Sequence, residues 1–325
     1  MLNLGARMRS LRSLVWIDDE SRPTALFRIL LIAVGSWVAA SVAYEVIWAI
    51  EGTGVSGLVP ALIRPILGYG LPSLAILLGL VFLGRRRRSD WGMEVDRDWW
   101  FDFGFGLALA TGLLVTIFGV MFVADWVRVT GTIEVNGDPP VAGFWPNLLR
   151  ILVVFVGVGI YEEFFSRGLL LTNVADGVAG FGPIGRRGAV TIAVGLTAAI
   201  FGALHANNPN ASLASTLGLT AAGVLYGTGY VFTGRLALPI GFHIAWNVVE
   251  GVVLGFPVSG SREAANLIAV AEQGPNLFTG GAFGPEAGVL GVGARFVGIA
   301  AIVAYVRWRR GKVSVAEKLT DPTLR

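Results

Sequence analysis

Eight apolar stretches, almost free of charge, dominate this chain: Leu26–Ile50, Leu58–Leu83, Phe101–Val127, Asn147–Val174, Ala189–Ala206, Ala211–Phe232, Leu236–Phe256 and Ala287–Trp308. Each is close to the ~20 residues that carry a helix across a bilayer core. Backbone placed in hydrocarbon must satisfy its own hydrogen bonds, which leaves only helices and closed barrels, and these runs lack the ten-residue alternation of barrel strands. The fold class is therefore all-α, a polytopic membrane protein with about eight transmembrane helices in one bundle. Composition agrees, since 54% of residues are hydrophobic and only 14% charged, where soluble domains run near 25% charged. The chain has no cysteine, which removes disulfides and thiolate metal sites and leaves two histidines as the only imidazole ligands.

A net charge of +3 and a pI near 9.5 raise the question of nucleic acid, but the basic residues lie at the borders of the apolar runs and form no phosphate-gripping groove. Membrane lipid is the expected partner, and no nucleic acid. Of the 25 lysines and arginines, eighteen fall in alternate segments: before the first run, at Arg85–Arg88 and Arg97, at Arg186 and Arg187, at Arg235, and from Arg307 at the end of the last run onward. The intervening segments hold only Arg128 and Arg262, and Thr130–Pro146 carries Glu134 and Asp138 instead. Positive residues stay on the cytoplasmic side. The expected location is thus the inner or plasma membrane, multi-pass, with both termini cytoplasmic. The first run is too long for a cleaved signal and is expected to remain as an anchor. Met1–Val15 alternates apolar residues with arginines, as an interfacial helix or a disordered tail would. No internal repeat is visible, which weakens an inverted-repeat transporter reading.

Ionisable groups inside a spanning helix cost at least ~2.5 kcal/mol each near the centre, so each demands a partner or a function. The densest cluster is Tyr161-Glu162-Glu163-Phe164-Phe165-Ser166-Arg167. Adjacent residues on a helix point about 100° apart, so the two glutamates divide their roles. Glu163 and Arg167 stand four apart with the acid first, the favourable order for an ion pair. Glu162 is left without a local cation, which suits a general base or a member of a structural charge knot. The fifth run ends at Phe201 to His205, and the seventh carries His243 and Asn247 four apart, with Glu250 three further along the same stripe. An imidazole and an amide on one face are donors able to hold an oxyanion. A lone membrane histidine is otherwise a packing or hydrogen-bonding residue. Glu45, Arg64, Glu250 and Arg295 are expected to be structural, paired among themselves.

These three motifs, EExxxR at Glu162–Arg167, FxxxH at Phe201–His205 and HxxxN at His243–Asn247, stand in this order on separate predicted helices. In this the chain resembles the CPBP family of CAAX-protease and bacteriocin-processing (Abi) intramembrane proteases, the type II CAAX prenyl endopeptidases among them. The resemblance covers residues 147–256, a CPBP-like catalytic core flanked by a 1–25 cytoplasmic segment, three helices over 26–146, and an outer loop, eighth helix and basic tail over 257–325. It implies an endopeptidase acting on a lipidated or otherwise membrane-delivered polypeptide. Glu162 and His205 would activate the attacking water, His243 and Asn247 would stabilise the oxyanion, and Glu163 and Arg167 would be the structural pair. Two mechanisms stay open: one without metal, and one with Zn2+ held by Glu162, His205 and His243. No HExxH arrangement is present. The rival readings are a non-catalytic immunity or scaffold protein that binds a peptide with the same cluster, and a proton-coupled transporter.

Straight helices with the borders above put His205 about 25 Å from the inner end of its helix and His243 only about 11 Å from its own. For the two to meet, the fifth helix has to begin deeper than Ala189, the segment 177–188 has to enter the membrane, or helices four and five have to be tilted or broken near the site.

Overall fold

The computed structural model describes residues 12–136, 141–179 and 183–324; the first eleven residues of the expected interfacial segment Met1–Val15 lie outside them. All eight apolar runs are helical: α1 (Ala25–Gly52), α2 (Leu58–Phe82), α3 (Arg97–Val123), α4 (Phe144–Glu163), which continues as a π-helix over Phe164–Leu171 into α5 (Thr172–Ala179), α6 (Gly185–Leu204), α7 (Leu213–Thr233), α8 (Ala237–Asn247), which ends in a π-helix over Val248–Val253, and α9 (Val289–Arg310). Helices α1, α2, α3, α6 and α9 are each long and apolar enough to cross a membrane, and Ala237–Val253 is a shorter apolar helix. The protein is an all-α polytopic membrane protein. Leu30, Val34, Trp37 and Val38 on α1 and Phe296 and Val297 on α9 are exposed on the outside of the bundle, the surface that lipid covers in such a fold.

Two small antiparallel sheets interrupt the helices: β1 (Trp16–Ile17) with β2 (Arg22–Pro23), and β3 (Val127–Val135) with β4 (Ala265–Glu272). The second was not legible as a strand pair. Its halves come from loops 130 residues apart, and β3 lies where the sequence suggested only the loop Thr130–Pro146. Thr, Val and Ile dominate β3, residue types that suit a pleated surface.

Alternation of helix direction sorts the connections into two ends. At the first, Arg22, Arg28 and Arg86 surround Asp176, with Arg86 at 3.2 Å; Arg235 meets Asp96 at 2.6 Å and Arg309 meets Asp98 at 2.7 Å. The tail after α9 folds across this end. Leu319 is fully buried, Lys318 donates to the carbonyl of Ser89, and Arg186 pairs with Asp321 at 2.7 Å. Burial pulls the Lys318 ammonium below its usual pKa. At the second end, β3 pairs with β4, Asn208 donates to the carbonyl of Ser259 and Asn136 to that of Glu263.

Helix α8 sits at the centre, packed closely on α3. A Cβ at Gly106 would run into the carbonyl of Leu238, and one at Gly241 into that of Phe103. Glycine at both contacts lets the two backbones touch, the device membrane helices use where lipid supplies no hydrophobic drive for association. Phe242, Trp246, Leu225, Leu114 and Ile302 fill the core around this contact.

Candidate active site

The EExxxR cluster straddles the junction at which α4 becomes π-helical, after Glu163. π-Helical turns are rare and concentrate at functional sites. Glu163 is fully buried and Arg167 nearly so, joined at 2.9 Å. The guanidinium also donates to the carbonyl of Gly223 at 3.1 Å and lies between the rings of Phe201 and Tyr226, 4.9 and 4.8 Å from their centroids. A buried guanidinium needs this many partners to offset its desolvation.

Glu162, one residue earlier, turns into a cavity of about 500 Å³ whose wall also includes His205, His243 and Asn247. The four residues come from three helices. Both imidazoles aim Nε2 at the same carboxylate oxygen: Glu162 Oε2 lies 3.9 Å from His205 Nε2 and 3.9 Å from His243 Nε2. The opposite ring nitrogens are tethered. His205 Nδ1 is 2.7 Å from the carbonyl of Phe201, and His243 Nδ1 is 3.0 Å from Glu163 Oε1. An acceptor at Nδ1 calls for a proton there, which leaves the neutral ring's Nε2 lone pair facing the cavity. The His243 ring stacks on Tyr226 at 5.0 Å. Asn247 lines the same cavity one turn along α8.

The sequence spacing anticipated the Glu163–Arg167 pair but not the second partner of Glu163, His243. The cavity wall further includes Ser259, Glu263 and Glu286, which no motif marked. Glu286 Oε2 accepts from the backbone and hydroxyl of Ser259, both at 2.8 Å. Its only signal in sequence was a carboxylate between a Gly-Pro turn and an apolar helix. Pairing among Glu45, Arg64, Glu250 and Arg295 is not what the structure shows. Arg64 pairs with Glu51, Arg295 lies 3.5 Å from Glu286 and 5.2 Å from the ring of Trp246, Glu45 is exposed, and Glu250 is fully buried on the His243 stripe. The partners of both arginines lie at helix ends, which a scan confined to the apolar runs passes over.

The two histidines meet because their helices do not start from one plane. Helix α8 begins inside the protein: the turn Gly234–Leu236 is covered by Gly92, whose carbonyl accepts from Leu236 N at 3.1 Å, and by Ala316 and Lys318 of the tail. Helix α6 starts at Gly185, further from the site than Ala189, so a deeper start of that helix is not the answer. The fourth helix does depart from regular winding at the site, in its π-helical stretch, while α8 is the recessed element.

Zinc would need three ligands converging on one point. Among the described residues no three His, Cys, Asp or Glu side chains do so, and the carboxylate-to-imidazole separations above belong to a looser arrangement. The side chains as they stand do not fit a metal cage.

No curated protein and no solved structure matches the chain. One family model does, described as type II CAAX prenyl endopeptidase Rce1-like, over residues 144–249. That span begins at the first residue of α4, ends two residues after Asn247, and contains every motif residue placed above, so over residues 144–249 this chain is similar to the Rce1-like type II CAAX prenyl endopeptidases.

Proposed function

We propose that the protein is an intramembrane endopeptidase in which Glu162 is the general base. The observation that carries this reading is the convergence of two tethered imidazoles on one carboxylate oxygen, 3.9 Å from each. That separation exceeds a direct hydrogen bond and suits a bridging water. In the proposed reaction, Glu162 takes one proton from this water while His205 Nε2 accepts a hydrogen bond from the O–H that the water keeps. The water oxygen forms a bond to the scissile carbonyl carbon, and the displaced π electrons become the oxyanion. Asn247 Nδ2 donates to the oxyanion, and His243 joins it as a second donor from Nε2 when its ring carries both protons, the Nδ1–H being held by Glu163. Collapse breaks the C–N bond, and the proton held on Glu162 passes to the leaving amine. Glu163 and Arg167 act at one remove, through the tether on His243. No step is routed through a metal.

The substrate is a membrane-associated or lipidated polypeptide, as the name of the matched family suggests. The cavity's walls support this, combining Phe155, Val158, Phe165 and Leu219 with the polar cluster, an apolar lining with few oriented polar groups. The test is terminal proteomics on membranes carrying wild type or Glu162→Gln. New C-termini present only with wild type are expected; identical profiles would end the reading. Cleavage insensitive to 1,10-phenanthroline is expected in the same assay, and loss of cleavage restored by zinc would replace the metal-free mechanism.

A further inference from the structure

The catalytic cavity belongs to one end of the bundle. Loop residues in its wall, Asn208, Pro209, Val258, Ser259, Ser261 and Glu263, all come from the connections that β3–β4 and the Asn208–Ser259 bond tie together. At the other end, which we call the sealed end, the arginine cluster around Asp176 and the folded tail tie the connections together and contribute no residue to the cavity wall. Arg167, bonded to Glu163 and Gly223 and set over the rings of Phe201 and Tyr226, does not line the cavity either.

The sealed end also carries the basic segments. Arg22, Arg86, Arg186, Arg235, Arg309 and Lys318 all make their contacts there, whereas the segments at the cavity end hold Arg128 and Arg262 against Asp125, Glu134, Glu263, Glu272 and Glu286. Retention of Lys and Arg in cytoplasmic segments makes the sealed end the cytoplasmic one.

We propose that the cavity is entered from the extracytoplasmic side, and that its substrates are polypeptides whose scissile segment reaches the membrane from that side, such as the outward-facing end of an anchored or exported protein. A lipidated tail lying on the cytoplasmic leaflet would meet the sealed end. The assignment of substrates rests on the endopeptidase reading; the sidedness of the cavity does not.

The chain has no cysteine, so single-cysteine variants report sidedness directly. Ser261→Cys at the cavity mouth and Thr132→Cys on β3 mark one end; Arg87→Cys and Lys312→Cys mark the other, and all four positions are exposed. In intact cells, a membrane-impermeant maleimide is expected to label the first two several-fold more than the second two, with the difference vanishing on permeabilisation. The reverse pattern, or labelling of Ser261→Cys only after permeabilisation, overturns the proposal. These outcomes are read whether or not the protein cleaves anything. If cleavage is established, external maleimide should also abolish it in Ser261→Cys and leave it intact in Lys312→Cys.

Discussion

His243 Nδ1 and Glu163 Oε1 stand 3.0 Å apart, and the same oxygen is 2.9 Å from the Arg167 guanidinium. One carboxylate thus fixes both the angle of a cavity-lining ring and the position of a buried cation behind it. The neighbouring carboxylate, Glu162, makes no ion pair with Arg167 and keeps Oε2 without a hydrogen-bond partner in the protein. The two adjacent glutamates should therefore fail differently when neutralised.

Glu163→Gln leaves Arg167 buried with its charge uncompensated, a change that costs about 3–5 kcal/mol. Glu162→Gln alters a side chain that reaches the cavity and should cost little stability. Unfolding in detergent followed by tryptophan fluorescence is expected to show a large loss for the first and near-wild-type behaviour for the second, with cleavage lost in both. Equal stability of the two variants would contradict the role of Glu163 as the shared anchor.

Asn247 supplies the amide in the proposed oxyanion site. Asn247→Ala should lower kcat by about 100- to 1000-fold with a much smaller effect on KM, as loss of one such donor does elsewhere. A KM effect with kcat preserved would move Asn247 from the transition state to ground-state binding.

Gly241 touches Phe103 and lies two residues before His243. Gly241→Ala forces α8 away from α3, an overpacking of about 1–3 kcal/mol, and shifts the helix that carries His243 and Asn247. Stability and cleavage should fall together. Gly293→Ala on α9, where a Cβ has open space, should leave both unchanged, and parity between the two variants would refute the close contact.

Glu263 lies in the segment between α8 and β4 and lines the cavity. Burial pushes its carboxyl above the usual carboxylate range, with Arg150 opposing. Its folded-state pKa is thus the raised one, so its contribution to stability is fully present below the unfolded value and is lost as pH rises through the folded value. Glu263→Gln removes that loss. The Tm of the variant should gain on wild type as pH rises from the ordinary glutamate range, about 4.3, through the raised folded value, and a gap that narrows as pH rises would contradict a desolvated carboxyl.

Much of this was written in local spacing. The eight helices followed from apolar length, and Glu163–Arg167 from an i, i+4 relation, because both properties are set within a single segment. The contact of Glu163 with His243 was not, since it joins residues eighty apart and depends on how α4 and α8 rotate about their axes. The β3–β4 pair escaped for the same reason. The helix rise sets His205 and His243 at different depths only if their helices share a starting plane, and that premise fails at Gly234–Leu236, where tail and loop residues bury what looks in sequence like a surface turn.

That buried turn also bears on the order in which the chain completes itself during synthesis. The elements beneath and around α8 emerge early, yet Ala316 and Lys318, which cover its start, emerge only after α9. Chains build from the N-terminus onward, so the α7–α8 turn stays uncovered until the segment after α9 arrives, and the closing act of assembly takes place at the end of the bundle opposite the β3–β4 pair.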